Sequence, residues 1–321
     1  MTQPQRVLIT GATGFVGTSL VNKLSQTAEF ELIALVRGES DGLPANVVRV
    51  RSMGAEPFAV KPHLFGVDIV VHLAARAHVL RDKSVDPLAE FRAINVDGTI
   101  DLARQAIDAG VKRFVFVSSI GVNGGQTLEA PFSEASPPAP HADYAVSKFE
   151  AEEALRELVE GTEMELVIVR PPLVYSGNAP GNFARLMKLV ASGVPLPFAS
   201  LDNRRSMIAL DNLVEFIALC MVHPAAANEL FLISDGEEVS TANIVRYLAR
   251  GMNKTARLLP VPKFLVSAAA SAVGKRAIYT QLYGSLVIDS SKARSQLGWA
   301  PSLTPENALT QAGRDYLRRT V

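Results

Sequence analysis

Apolar residues in the first half of the chain come in short unbroken runs, set apart by glycine turns and amphipathic stretches. Residues 7–10, 32–36, 47–50, 69–73, 114–117 and 166–169 read as strands without polar alternation. A parallel sheet covered on both faces produces such runs. Between them, residues 18–24, 91–110 and 144–158 have helical texture. In 91–110, Ile94, Leu102 and Ala106 fall at core positions. Strand–helix repetition predicts a doubly wound parallel α/β sheet of Rossmann type.

The texture changes at Pro171. Prolines and glycines crowd the next stretch (Pro172, Gly177, Pro180, Gly181, Gly193, Pro195, Pro197), and elements follow in less regular order. We therefore expect residues 1–172 to form the sheet domain. Residues 173–321 are expected to form a smaller, interleaved substrate domain, with segments returning to the sheet. The apolar run 264–274 is broken by Ser267 and Ser271. It falls far short of the roughly 20 residues of a membrane span, so a helix lying on a protein surface is expected there.

Composition narrows the picture. The 321 residues are 48 % hydrophobic and 20 % charged, which excludes a disordered or collagen-like chain. Thirty-two basic residues balance 32 acidic ones. That balance argues against nucleic-acid binding by bulk charge, while a local basic patch remains able to hold a small anion. Cys220 is the single cysteine, so no internal disulfide forms. With residues 1–6 too polar for a signal peptide, a reducing cytoplasm is the expected compartment. No histidine or cysteine cluster has metal-ligand spacing.

Gly11-Ala12-Thr13-Gly14-Phe15-Val16-Gly17 joins the first strand to the first helix. Glycines there permit a tight turn and the close approach of a pyrophosphate. The helix start offers free amides and a positive dipole end. At the end of the second strand, Arg37 stands where an acidic residue would favour NAD. It can pair with the 2′-phosphate of NADP, or serve as a solvated surface charge.

Tyr144 and Lys148, four residues apart, share a helix face. A free tyrosine titrates near 10, and a proton carrier works best nearer the ambient pH. A cation one turn away, helped by a positive nicotinamide ring, favours the phenolate. Ser119 ends the strand 114–117, at the carboxyl edge where such sheets bind ligands. Cradle, serine and Tyr-x-x-x-Lys occur in the order a hydride-transfer site requires.

With these motifs the whole chain resembles the extended short-chain dehydrogenases/reductases of the nucleotide-sugar epimerase/dehydratase type. Further markers are His72-Leu73-Ala74-Ala75, Asn95-Val96-Asp97-Gly98-Thr99, Ser118-Ser119, the stretch from Arg170 to Gly177, and Leu297-Gly298-Trp299. The resemblance implies Tyr144 as catalytic acid/base, Lys148 as holder of the nicotinamide ribose, and Ser119 as the group orienting the reacting oxygen. It implies a dinucleotide, NADP(H) or NAD(H), bound by Gly11, Thr13, Gly14, Phe15, Val16, Gly17, Arg37, Leu73, Ala74, Ala75, Tyr144, Lys148, Pro171 and Val174. A nucleotide-sugar, UDP-linked, would meet His78, Ser119, Asn182 and Arg205, with His141 a further candidate. A homodimer built from the helices around 91–110 and 144–158 is also implied.

Departures matter as well. Related 4,6-dehydratases carry an acidic pair after the residue matching Ser119. Here Ile120 and Gly121 follow, which disfavours a dehydratase. The first expectation is a reductase acting on the 4-keto group of a UDP-4-keto-6-deoxy-N-acetylhexosamine, of the kind that serves surface-polysaccharide synthesis. The alternative is a UDP-sugar 4-epimerase with tightly bound NAD. A non-catalytic dinucleotide sensor is disfavoured by the intact Tyr/Lys pair.

Overall fold

The computed structural model describes residues 3–38, 42–52, 57–77, 86–262, 264, 266, 271, 280 and 282–320. Strands β1 (Gln5–Thr10), β2 (Phe30–Leu35), β3 (Val48–Val50), β4 (Ile69–His72), β5 (Arg113–Val117) and β6 (Glu165–Arg170) match the six apolar runs to within two residues at either end. After β7 (Leu173–Tyr175) and β8 (Met207–Ala209), β9 (Leu230–Leu232) returns to pair with β6. The main sheet has the order β3-β2-β1-β4-β5-β6-β9 with every pair parallel, and β7 and β8 pair separately.

Alternate strand residues point to opposite faces, and both faces are covered. Ile9, Val71, Val115 and Val167 pack against Leu20 and Val21 of α1 (Phe15–Leu24) and Leu213 and Phe216 of α6 (Leu210–Val222). Leu8, Val70, Phe114 and Phe116 face the other way, onto α3 (Gly98–Asp108) and α4 (Asp143–Val159) through Leu102, Ala106 and Leu155. Burial on both sides explains the absence of polar alternation. A second core gathers α5 (Gly181–Ser192), α7 (Thr241–Gly251) and α9 (Pro305–Thr320) around Phe183, Leu248 and Leu309. Phe15 touches both cores. Between α7 and α9 lies α8 (Ser291–Leu297), which closes on a left-handed Gly298.

Residues 91–110 are not one helix. Residues 87–92 form α2 (Pro87–Arg92), Ala93–Asp97 form a π-helical turn, and α3 follows. The wider turn brings Asn95 inward, fully buried, while Ile94 is only half-buried. Asn95 Oδ1 accepts from the Arg76 amide at 2.8 Å, and Nδ2 donates to Arg76 O and to Ser147 Oγ at 3.1 and 3.0 Å. Most of the run 264–274 lies outside the described residues. Among the described residues, no helix is long and apolar enough to cross a membrane.

Candidate active site

The crevice opens where strand order reverses, between β1 and β4. Gly11 follows β1 with φ +68°, and a Cβ there would lie 2.7 Å from the Ala74 amide nitrogen. A Cβ on Gly17 would lie 2.1 Å from Gly11 O. These two glycines let the loop press on the end of β4 and the helix press on the loop. Gly14 is the N-cap of α1 and supplies no side-chain acceptor. The first-turn amides therefore keep their affinity for an external anion. Thr13 and Gly14 are exposed; Phe15 and Val16 are half-buried.

Under this loop runs a buried polar chain. Thr10 Oγ1 accepts from the Ala74 amide at 3.2 Å and meets His72 Nδ1 at 2.6 Å. His72 Nε2 meets Thr99 Oγ1 at 2.9 Å, and Thr99 donates to Asn95 O at 2.8 Å. Burial, with Lys148 nearby, holds the His72 pKa well below its ordinary value. The donor sequence assigns the proton of this neutral imidazole to Nε2. The chain anchors Leu73, Ala74 and Ala75, all half-buried along the crevice. The sequence pattern assigns His72 and Asn95 no function beyond that of family markers. A histidine closing a wholly apolar strand is the signal that points to this chain.

On α4, Tyr144, Lys148 and Glu152 follow at four-residue steps. Lys148 is only 1 % exposed. Its Nζ donates to Val117 O at 2.8 Å and sits 4.3 Å from the centre of the Phe116 ring. Burial lowers its pKa to about 7, against the opposing pull of Glu152. Tyr144 is half-buried, its ring edge-on to Phe91 with centres 6.2 Å apart. Burial pushes its pKa up to about 12. The expected lowering calls on a positive nicotinamide ring as well as the lysine; in the protein by itself, desolvation of the phenolate is the larger effect.

Ser119 Oγ accepts from the Gly121 amide at 3.1 Å, which leaves its own proton free to donate. A Cβ on Gly121 would lie 3.2 Å from Ala145 Cβ. The serine loop thus rests on the helical turn that carries Tyr144. Ile120 N donates to Pro171 O at 3.0 Å, tying that loop to the segment after β6. Pro171 is buried there and Val174 half-buried.

The profile of the NAD dependent epimerase/dehydratase family matches residues 7–234. A Vibrio cholerae protein named UDP-glucose 4-epimerase is 43 % identical over 320 residues, 98 % of this chain and 96 % of that one. The chain belongs to the NAD dependent epimerase/dehydratase family. An Escherichia coli O157:H7 N-acetyl-alpha-D-glucosaminyl-diphospho-ditrans,octacis-undecaprenol 4-epimerase is 31 % identical, covering 80 % of this chain and 75 % of its own. The fold also matches UDP-glucuronic acid 4-epimerase from Bacillus cereus, solved in complex with NAD. Its TM-score is 0.78 at 20 % identity, over 99 % of this chain and 97 % of that one.

The protein is thus an epimerase/dehydratase-family enzyme of the NAD-dependent oxidoreductase type. The residues present fit NAD: the glycine cradle leaves no room for Cβ atoms at Gly11 and Gly17, and no side chain occupies the cap of α1. Arg37 is exposed just beyond β2. His78 lies outside the described residues, and His141 is exposed with its ring close to Gly125, where an added Cβ would lie 2.5 Å from His141 Cε1. Asn182 is exposed at the second position of α5, where its Oδ1 accepts from Arg185 at 3.1 Å. The cap position itself belongs to Pro180.

Arg205 of this family member is buried rather than a surface charge. Its Nη1 donates to Gly284 O at 3.2 Å, and no carboxylate among the described residues pairs with it. Burial lowers its pKa. A buried cation with spare donors suits an anionic ligand. Among the described residues no cluster of His, Cys, Asp and Glu is arranged to hold a metal.

Proposed function

We propose that this protein is a UDP-sugar 4-epimerase that retains its NAD, in preference to the 4-ketoreductase of the first expectation. The carrying observation is the 43 % identity, across 98 % of the chain, to a protein named as such an epimerase. Exposed Arg37 is not enough to outweigh it. Hydride exchange at carbon 4 of the sugar is the chemistry that bound NAD supplies.

The chain's own residues handle the proton and the geometry. Tyr144 accepts the proton of the 4-hydroxyl and later returns it. Burial alone keeps the phenol protonated, so this role requires positive charge beside it. Protonated Lys148, one turn along α4, is the protein's contribution to that charge. Ser119 donates to the same sugar oxygen and fixes its direction. Arg205 and Asn182 neutralise and orient the diphosphate. The same reading includes a cytoplasmic homodimer joined through α3 and α4.

The test is to denature the purified enzyme, identify the dinucleotide released, and assay interconversion of UDP-glucose and UDP-galactose without added cofactor. Stoichiometric NAD with interconversion is the expected result. An empty site, with NADPH consumed on a UDP-4-keto-6-deoxy-N-acetylhexosamine, would establish the reductase instead.

A further inference from the structure

Zero net charge conceals an uneven distribution. From Arg170 to Asp202 the chain holds no carboxylate, and Arg185 and Lys188 are the charged residues between them. From Glu238 to Asp289 it again holds none, against Arg246, Arg250, Lys254, Arg257, Lys263, Lys275 and Arg276.

The fold lays the described parts of these two stretches side by side. Leu196 N donates to Arg257 O at 2.8 Å, Leu259 N to Leu196 O at 2.8 Å, and Ala199 N to Leu259 O at 3.2 Å. Lys254 Nζ donates to Ala191 O at the end of α5. Along this seam and at the end of α5 large apolar side chains stand in water: Leu189 is 45 %, Val194 44 % and Leu259 49 % exposed, and Phe264, a few residues further along the chain, is 70 % exposed. Lys188, next to Leu189 in the chain, and Arg257, two residues from Leu259, are exposed as well. Arg250 is drawn elsewhere, to Glu306 of α9.

We propose that this face, the C-terminal end of α5 with the seam 194–199 and 254–261, docks on an anionic phospholipid bilayer. Exposed apolar and basic side chains from two stretches that contain no carboxylate in their sequence fit a headgroup boundary. Lysine and arginine meet lipid phosphates while leucine and phenylalanine enter the acyl edge. A second copy is the poorer occupant, because two-fold pairing would set the basic side chains of these stretches against their own copies. The docking is independent of which sugar reaction the crevice performs.

The experiment is co-sedimentation of the full chain with vesicles of phosphatidylcholine alone, and of phosphatidylcholine and phosphatidylglycerol in equal parts. Binding to the anionic vesicles alone, weakened by salt, is expected. Lys188→Glu with Arg257→Glu should weaken it by about tenfold or more. Leu259→Ser should weaken what remains at high salt. Circular dichroism and turnover of a soluble sugar nucleotide should be unchanged in both variants, since none of these residues lies in the crevice. No binding by the wild-type chain overturns the proposal, as does binding indifferent to these substitutions. Self-association abolished by Leu259→Ser, without vesicle binding, assigns the face to a second copy and overturns it too.

Discussion

Glu152 and Arg170 form a two-pronged ion pair inside the protein, Nε to Oε1 at 2.9 Å and Nη2 to Oε2 at 2.5 Å, with both side chains sealed from water. Glu152 Oε1 also accepts from Ser118 Oγ at 2.5 Å, and Arg170 Nη1 donates to Asn123 Oδ1 at 3.0 Å. The pair therefore joins the residue before Ser119, the residue before Pro171, and the helix of Tyr144 and Lys148. Breaking one half of such a pair strands a charge in the interior. Arg170→Met should cost about 3–5 kcal/mol in urea unfolding, and adding Glu152→Gln should recover much of it. A single-variant loss below about 1 kcal/mol would show that the pair behaves like a surface one.

Lys148 makes stability depend on pH. Its pKa falls from 10.5 unfolded to about 7 folded. Between those values the unfolded chain binds the extra proton, so stability rises as pH climbs from about 7 toward 10. Below about 7 the full penalty of the buried ammonium is present, on the order of 4–5 kcal/mol. Tyr144, raised to about 12, acts oppositely: stability falls as pH rises above about 10. Dinucleotide-free Lys148→Met should be more stable than wild type at pH 7 and lack the rise. Equal slopes in parallel urea titrations would refute the buried-lysine account.

Tyr144→Phe keeps the ring against Phe91 and removes the hydroxyl proposed to carry the proton. Turnover should drop by about 10²- to 10⁴-fold, while the protein still purifies with its dinucleotide. Unchanged turnover would remove Tyr144 from the chemistry.

Gly17→Ala places a methyl 2.1 Å from where Gly11 O now sits. Neither backbone can yield without opening the loop, so a loss of about 1–3 kcal/mol is expected. Released dinucleotide, quantified after denaturation, should fall with it. Retention of a full complement would show that the cradle tolerates a Cβ.

Arg205→Met conserves bulk and deletes the buried cation. If Arg205 meets the diphosphate, KM should rise by about 30-fold or more, with kcat changed far less. An equal fall in kcat at unchanged KM would make Arg205 a support for the sugar ring's placement instead of a diphosphate ligand.

Much of this site is legible in the order of residues along the chain. Gly11, Gly14 and Gly17 carry a backbone requirement that spacing alone expresses. Tyr144 and Lys148 need only one helix to share a face. The break in 91–110 is not legible there, because the π turn answers to Asn95, whose partners Arg76 and Ser147 lie on other segments. The direction of the Tyr144 and Lys148 pKa values is equally hidden. Spacing reports that two groups are near, whereas desolvation depends on Val117, Phe116 and Phe91, brought in from elsewhere.

Local pattern is enough for the parallel sheet, the glycine turn and the shared face of Tyr144 and Lys148, since each rests on periodicity or on residues within one turn. Three-dimensional packing is what makes Arg205 an interior cation. It lets Glu152 and Arg170 clamp three site-bearing segments, and it lays the described parts of two carboxylate-free stretches side by side. Those properties arise from burial and from contacts across long separations, where dielectric and packing are set by residues the local pattern does not contain.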